Sequence, residues 1–254
     1  MAEILIIALL IVIVAAAFYQ IRIIKRVNTK LIKLMEPERD IRKIAKKNRD
    51  EAWQHYRQSE YYAQLLLALA PSAPLPPLRS WAASPDLLVT LFYTARSANP
   101  RTIVDLGSGA STLVLAKAAP AAKIISIDNS AEYAMKTEEM LKEHGVTNVD
   151  IRVAPLTPLA NGIHWYHPDA WNSLRDIDLL FIDGPPGSKD DTARHPAFTE
   201  LASQLSPHAT VIIDDVHRAG EKEMAHLFAK ALPTHTLLIL DHEKGTAILQ
   251  PTKG

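Results

Sequence analysis

The chain has 254 residues, enough for one sizeable α/β domain with an appendage. Its 28 Lys+Arg balance its 28 Asp+Glu, yet residues 20–50 hold eleven basic residues against four acidic ones, so a neck of +7 joins a remainder of −7. A charge excess confined to a neck argues for a membrane surface and against a nucleic-acid footprint spread over the domain. The absence of cysteine excludes disulfides, thiolate metal sites and cysteine nucleophiles.

Residues 4–19 (ILIIALLIVIVAAAFY) are uncharged and almost wholly apolar. With Ile21, Ile23 and Ile24 the run approaches the ~20 residues that cross a bilayer as a helix. Arg22, Lys25 and Arg26 follow it and only Glu3 precedes it, which by the positive-inside rule leaves the rest of the chain in the cytoplasm. The expectation is a single-pass anchor (1–24) in the inner, cytoplasmic membrane. A cleaved signal ending near Ala15-Ala16-Ala17 is the alternative, but it lacks the basic leading region such signals carry.

Residues 25–70 read as a basic juxtamembrane helical segment, with apolar residues at steps of three and four and a break near Pro37. A short coiled coil pairing two copies is the rival to a solvated helix, and too few heptads are present to favour it. Five prolines make 71–85 an extended linker.

The domain proper spans 86–254. A helix over 86–95 leads to strand 102–106; a helix over 111–119 leads to strand 123–128. A charged helix over 131–144, closed by Gly145, precedes a short strand at 150–153. Strands follow at 177–182 and 210–213. Strands alternating with helices imply parallel pairing in a doubly wound, Rossmann-like sheet. The segments 236–240 and 246–249 break the rhythm: only five polar residues separate them, and a parallel crossover needs about a dozen. They close the seven-stranded, mostly parallel sheet as an antiparallel hairpin.

Asp105 ends the first strand two residues before a glycine turn, and Asp128 ends the second. Two acids flanking such a turn suit a ligand that carries both a cation and a ribose. The run Val104-Asp105-Leu106-Gly107-Ser108-Gly109-Ala110-Ser111-Thr112 resembles motif I of the class I S-adenosylmethionine-dependent methyltransferases, more narrowly bacterial members with a GSGxST loop. Trp81, Ser84-Pro85, Trp165-Tyr166, Asp183-Gly184-Pro185-Pro186-Gly187, and Asp214-Asp215 followed by Arg218 and Glu221 extend the resemblance over about residues 75–250.

The resemblance implies that S-adenosylmethionine is held by Asp105, Gly107, Ser108, Gly109, Ser111, Asp128, Asn129, Ala154 and Asp183. Gly107 and Gly109 permit the turn and a close backbone approach. The amides that open the next helix face the methionine carboxylate. Asp105 positions the amino end, Asp128 accepts the ribose hydroxyls, and Asn129 and Ala154 lie near the adenine edge. Ser111 departs from the pattern, which has a third glycine there.

Asp183, Asp214 and Asp215 follow strands four and five, where ligands of open α/β sheets bind. Three converging carboxylates suit a hard cation such as Mg2+, as in the metal-dependent O-methyltransferases; the alternative is that they cap a helix and pair with Arg218. Without metal, Asp183 or His217 is the candidate general base. Lys189, Arg194 and His195 are candidates for holding an anionic acceptor, and Trp165 and Tyr166 for stacking or for core packing.

The function expected is membrane-anchored methyl transfer, on an oxygen of an envelope-associated or small-molecule acceptor. An NAD-dependent oxidoreductase is one alternative, because Gly107-Ser108-Gly109 and an acid 19 residues beyond also fit a dinucleotide fingerprint, with Thr112 in place of its third glycine. A catalytically silent membrane scaffold is the other.

Overall fold

The computed structural model describes residues 1–187 and 190–252. They divide into two compact units, Met1–Tyr56 and Arg57–Gly254, and helix α1 (Ala2–Leu69) contributes to both. In the first unit the backbone stays helical through Pro37, so the expected break is absent. Proline removes one intrahelical hydrogen bond, and the leucine, methionine, lysine, glutamate and arginine around it are strong helix formers that carry the turn across. Residues 1–33 are exposed throughout, and Ala2–Lys33 contains a window long and apolar enough to span a membrane.

In the second unit, strands β1 (Thr102–Leu106), β2 (Lys123–Asp128), β3 (Val149–Val153), β6 (Ile177–Ile182), β7 (Leu205–Asp214), β8 (His235–Leu240) and β9 (Thr246–Pro251) form one sheet among the described residues. Their order is β3-β2-β1-β6-β7-β9-β8. The first five pair in parallel, and β9 inserts antiparallel between β7 and β8. A dinucleotide fold with strand order 3-2-1-4-5-6 has no such inserted strand. A second sheet of two short strands, β4 (Leu156–Pro158) and β5 (His164–Tyr166), escapes sequence reading because three residues carry no periodicity.

Strand residues alternate between two cores. Ile103, Ile124, Leu179, Phe181 and Ile212 face α2 (Pro85–Ala98), α3 (Ala110–Ala118) and Leu65 and Leu69 from the end of α1. Val104, Leu106, Ile125, Leu180 and Ile213 face Trp165, Tyr166 and helix α6 (Ala219–Ala231). Both faces are covered, so the central strands read as continuous apolar runs. Trp165 and Tyr166 are fully buried; Trp165 packs in the core, whereas Tyr166 also lines the cleft described below.

Asp86, at the start of α2, is the polar tie of this unit. Buried completely, it accepts hydrogen bonds from Ser84 Oγ (2.5 Å), Gln58 Nε2 (2.8 Å), the Leu87 amide (2.9 Å) and the Glu243 amide (2.9 Å). Arg57 stands 3.6 Å away. One carboxylate thus joins the end of α1, the start of α2 and the β8–β9 turn.

Candidate functional site

Asp105 lies at 0 % exposure beneath the turn that follows β1. Its carboxylate accepts from Thr112 Oγ1 (2.6 Å), Ser126 Oγ (3.0 Å) and Ser111 Oγ (3.5 Å). Thr112 Oγ1 in turn accepts the Gly109 amide at 3.0 Å. Gly107 sits at φ +104° with its Cα against the Asp183 carbonyl, so a side chain there would be both strained and crowded. The turn delivers the chain into α3, whose first amides open onto a cleft of about 1360 Å³.

Asp128 ends β2 in the same cleft. Its Oδ2 accepts the Ser108 amide (2.9 Å) and Ser108 Oγ (2.6 Å), and its Oδ1 accepts the Ser130 amide (2.8 Å). Beyond Asp128 the wall is helix α4 (Ala131–Glu143), which presents Tyr133, Lys136 and Met140. The strap 74–83 lines the same cleft. Lys244 Nζ, from the β8–β9 turn, ties the strap down by donating to the Ser80 and Ala82 carbonyls (3.2 and 2.9 Å).

Acids and guanidinium groups line the remaining end. Carboxylate oxygens of Asp183, Asp214 and Asp215 come within 4.8 Å of one another. Arg194 stands among them with its side chain 5 % exposed. Its Nη2 is 3.2 Å from Asp183 Oδ1 and 3.0 Å from Asp215 Oδ2; its Nε is 3.7 Å from Glu221 Oε1. Arg194 also donates to the Asp183 and Pro185 carbonyls (2.9 and 3.1 Å), and Arg218 Nη1 pairs with Asp215 (3.0 Å) and Glu221 (3.3 Å). Burial raises Asp183 to about 6, against the opposing charge of Arg194 and helped by that of Asp215. Burial pushes Asp214 well above the usual carboxylate range, with Asp183 and Asp215 adding to the rise.

Residues 104–216 match the family model described as a methyltransferase domain. No curated protein sequence matches the chain. Among solved structures, the chain superposes on the O-methyltransferase from Bacillus cereus in complex with SAH (20% identity, 76% of this chain and 91% of that one, TM-score 0.53). It also superposes on the O-methyltransferase TomG from Streptomyces achromogenes in complex with SAM (21%, 77% and 89%, 0.52) and on the SAH-bound methyltransferase PaMTH1 from Podospora anserina (16%, 81% and 95%, 0.52). Residues 104–216 thus form a methyltransferase domain, on the fold that these S-adenosylmethionine-dependent enzymes share.

The methyltransferase cleft gathers most of the residues singled out from sequence, though not all. Gly107, Ser108, Gly109, Ser111, Asp128, Asn129, Asp183 and Asp215 line it. Asp105 lies beneath it, and Ser111, expected to reach the ligand, also donates to Asp105. Ala154 is 1 % exposed, packed in the core, and its amide donates to the Asp128 carbonyl (2.7 Å). His217 lies outside the cleft: its ring is exposed, packs against Gly245 and faces Asp241 at 3.9 Å, which removes it as a general base.

Two further expectations are corrected by the methyltransferase site. Arg194 lines the cleft, but its side chain is almost wholly buried in ion pairs with Asp183, Asp215 and Glu221 rather than free for an anionic acceptor, while Lys189 lies outside the described residues. The Asp183, Asp214 and Asp215 trio converges as expected but does not fit a divalent cation. A guanidinium nitrogen already bridges two of the three, and Asp214, at 0 % exposure, accepts the Asp215 amide on Oδ1 at 2.7 Å while its Oδ2 has no partner among the described residues. Sequence reading missed Thr112, Tyr133, Lys244 and the strap; Lys244 meets the strap across more than 160 residues, a separation no local pattern displays. Arg194 leaves a signal of its own kind: four acids within reach of one site need cations, and the 183–221 stretch supplies them.

Proposed function

We propose that this methyltransferase transfers its methyl group to an oxygen, with Asp183 as the general base, and that its N-terminal helix anchors it at the cytoplasmic face of a membrane that also carries the acceptor. The observation that carries the chemical part is the opposition of Asp128 and Asp183 across the Gly107–Gly109 turn, both in one cleft. S-adenosylmethionine supplies an electrophilic methyl on a sulfonium. The residues present fit that ligand. Asp128 Oδ1 accepts only one hydrogen bond from the described residues, so it has capacity for a ribose hydroxyl, and Oδ2 gains capacity when Ser108 Oγ turns aside. The amides at the start of α3 favour the methionine carboxylate.

Asp183 then accepts the acceptor's hydroxyl proton as that oxygen bonds to the methyl carbon and the carbon–sulfur bond breaks, leaving the thioether and a methyl ether or ester. A value near 6 lets the carboxyl be ionised at neutrality and still take a proton, which suits a general base. Oxygen as the acceptor atom is supported by the O-methyltransferases among the structural relatives. The anchor is supported by the apolar, exposed Ala2–Lys33 window and by the basic residues that follow it.

Calorimetry on the full chain in mild detergent tests the cofactor site. S-adenosylmethionine should bind, and Asp128→Ala should weaken it by about 2–3 kcal/mol, the worth of hydrogen bonds to a charged group. Failure of the unaltered protein to bind would instead support a silent scaffold. Tritiated methyl transfer into an envelope fraction then reports the acceptor. Label that enters only soluble small molecules would defeat the membrane-borne acceptor.

A further inference from the structure

Asp183, Asp215 and Glu221 bring three carboxylates to one point, with the buried Asp214 behind them. Such a group sheds its mutual repulsion by taking up protons or by enclosing positive charge, and here a guanidinium stands within it. The place a bridging ion would take between Asp183 Oδ1 and Asp215 Oδ2 lies against Arg194 Nη2, 3.2 and 3.0 Å from those atoms. A magnesium ion on the same oxygens would need about 2.0–2.1 Å to each and room for several waters. It would then meet the guanidinium at contact distance with like charge. The fork is also held by the backbone, with Nε on the Pro185 carbonyl and Nη2 on the Asp183 carbonyl, so swinging it away would cost both bonds to the 183–187 loop.

We propose that Arg194 is the resident counter-ion of this carboxylate cluster, that the enzyme uses it in place of a divalent metal, and that it acts as a positioning residue for Asp183. The part about Asp183 rests on the proposed function above; the part about the cation does not. Arginine suits the task because its planar fork satisfies two carboxylates and two carbonyls at once, which a lysine cannot.

The test is a Mn2+ titration of the full chain in mild detergent, read by the electron paramagnetic resonance of free Mn2+ and by melting temperature. The unaltered protein should neither bind Mn2+ tightly nor melt higher in its presence. Arg194→Met should gain a Mn2+ site about tenfold or more tighter, because ligand charge sets such affinities, and should melt higher with the ion. Arg194→Lys restores the positive charge and should lose that site again. If Arg194→Met does not fold, Arg194→Met with Asp215→Asn, which removes one charge of each sign, should fold.

Tight Mn2+ binding by the unaltered protein that disappears in Asp214→Asn would overturn the proposal. So would a folded Arg194→Met that ignores Mn2+, or a charge-balanced double variant that still fails to fold. S-adenosylmethionine binding in excess chelator is the separate arm. Binding that persists supports a metal-free site, and binding lost with chelator and restored by Mg2+ overturns it. Absence of binding in every condition defeats the proposed function and leaves the Mn2+ result standing.

Discussion

Thr112 shows how much one hydroxyl can organise. It donates to the buried acid that ends β1 and accepts the amide of Gly109, so the strand end and the cofactor turn are one hydrogen-bonded unit. Thr112→Val, similar in volume, should cost about 1–3 kcal/mol by leaving the Gly109 amide unmet and the Asp105 carboxylate one donor short, seen as a lower melting temperature and weaker S-adenosylmethionine binding together. Asp105 itself is raised to about 7 by burial, with Asp183 and Asp128 adding to the rise and the Thr112 and Ser126 hydroxyls opposing it. The sign follows from the unfolded value near 3.9. Below about pH 4 both states hold the proton and nothing is lost; between about 4 and 7 the unfolded chain ionises first, so folding stability falls as pH rises. Asp105→Asn should flatten that decline, by up to roughly 4 kcal/mol across the window, as measured by melting curves at its two ends. At this scale the sequence displays Asp105, Gly107 and Asp128, because a strand end and a glycine turn are local patterns. It hides Thr112 and Arg194, whose partners are set by packing.

At the scale of elements, β1, β2 and β6 are legible to the residue, since apolar runs of five or six bounded by turn residues leave little choice, whereas β7 begins at Leu205, five residues before the expected start, because Ser206, Pro207 and His208 carry no apolar pattern. The hairpin is legible for the same reason, whereas its insertion between β7 and an outer β8 is not, because pairing order is a long-range matter. The β8–β9 turn also holds the front of the site: Glu243 binds Asp86, and Lys244 ties down the strap. Burial alone would raise the Asp86 carboxyl, but hydrogen bonds from Ser84, Gln58 and the Glu243 amide outweigh it and hold the group below its usual value. Its stabilising contribution is therefore present above the unfolded pKa and disappears as pH falls through the folded one. Asp86→Ala strands four donors and should cost about 3–5 kcal/mol. Because the Glu243 anchor goes with it, proteolysis in the 74–83 strap should speed up before global unfolding; a strap that stays protected would separate the turn from the cleft.

At the scale of the whole molecule, the chain sorts its charge: an apolar helix, a neck of +7 and a domain (86–254) of −6. This arrangement is written openly in the sequence, since length, hydropathy and charge need no tertiary contact to be read. Anionic lipids at the cytoplasmic face would draw the neck and repel the domain, and each basic residue near that surface is worth about 1 kcal/mol. The apolar helix is the stronger term, and it can be tested apart from the neck. Ile13→Arg with Val14→Arg places two charges near the centre of the apolar run, at about 2.5–3.5 kcal/mol each on the insertion scale. The unaltered chain should stay with membranes through carbonate extraction. The double variant should move to the soluble fraction while its S-adenosylmethionine binding is unchanged, because neither substituted residue belongs to the Arg57–Gly254 unit that holds the cleft. An unaltered chain released by carbonate would end the anchor, and one recovered shortened at its amino terminus would identify residues 1–24 as a cleaved signal instead.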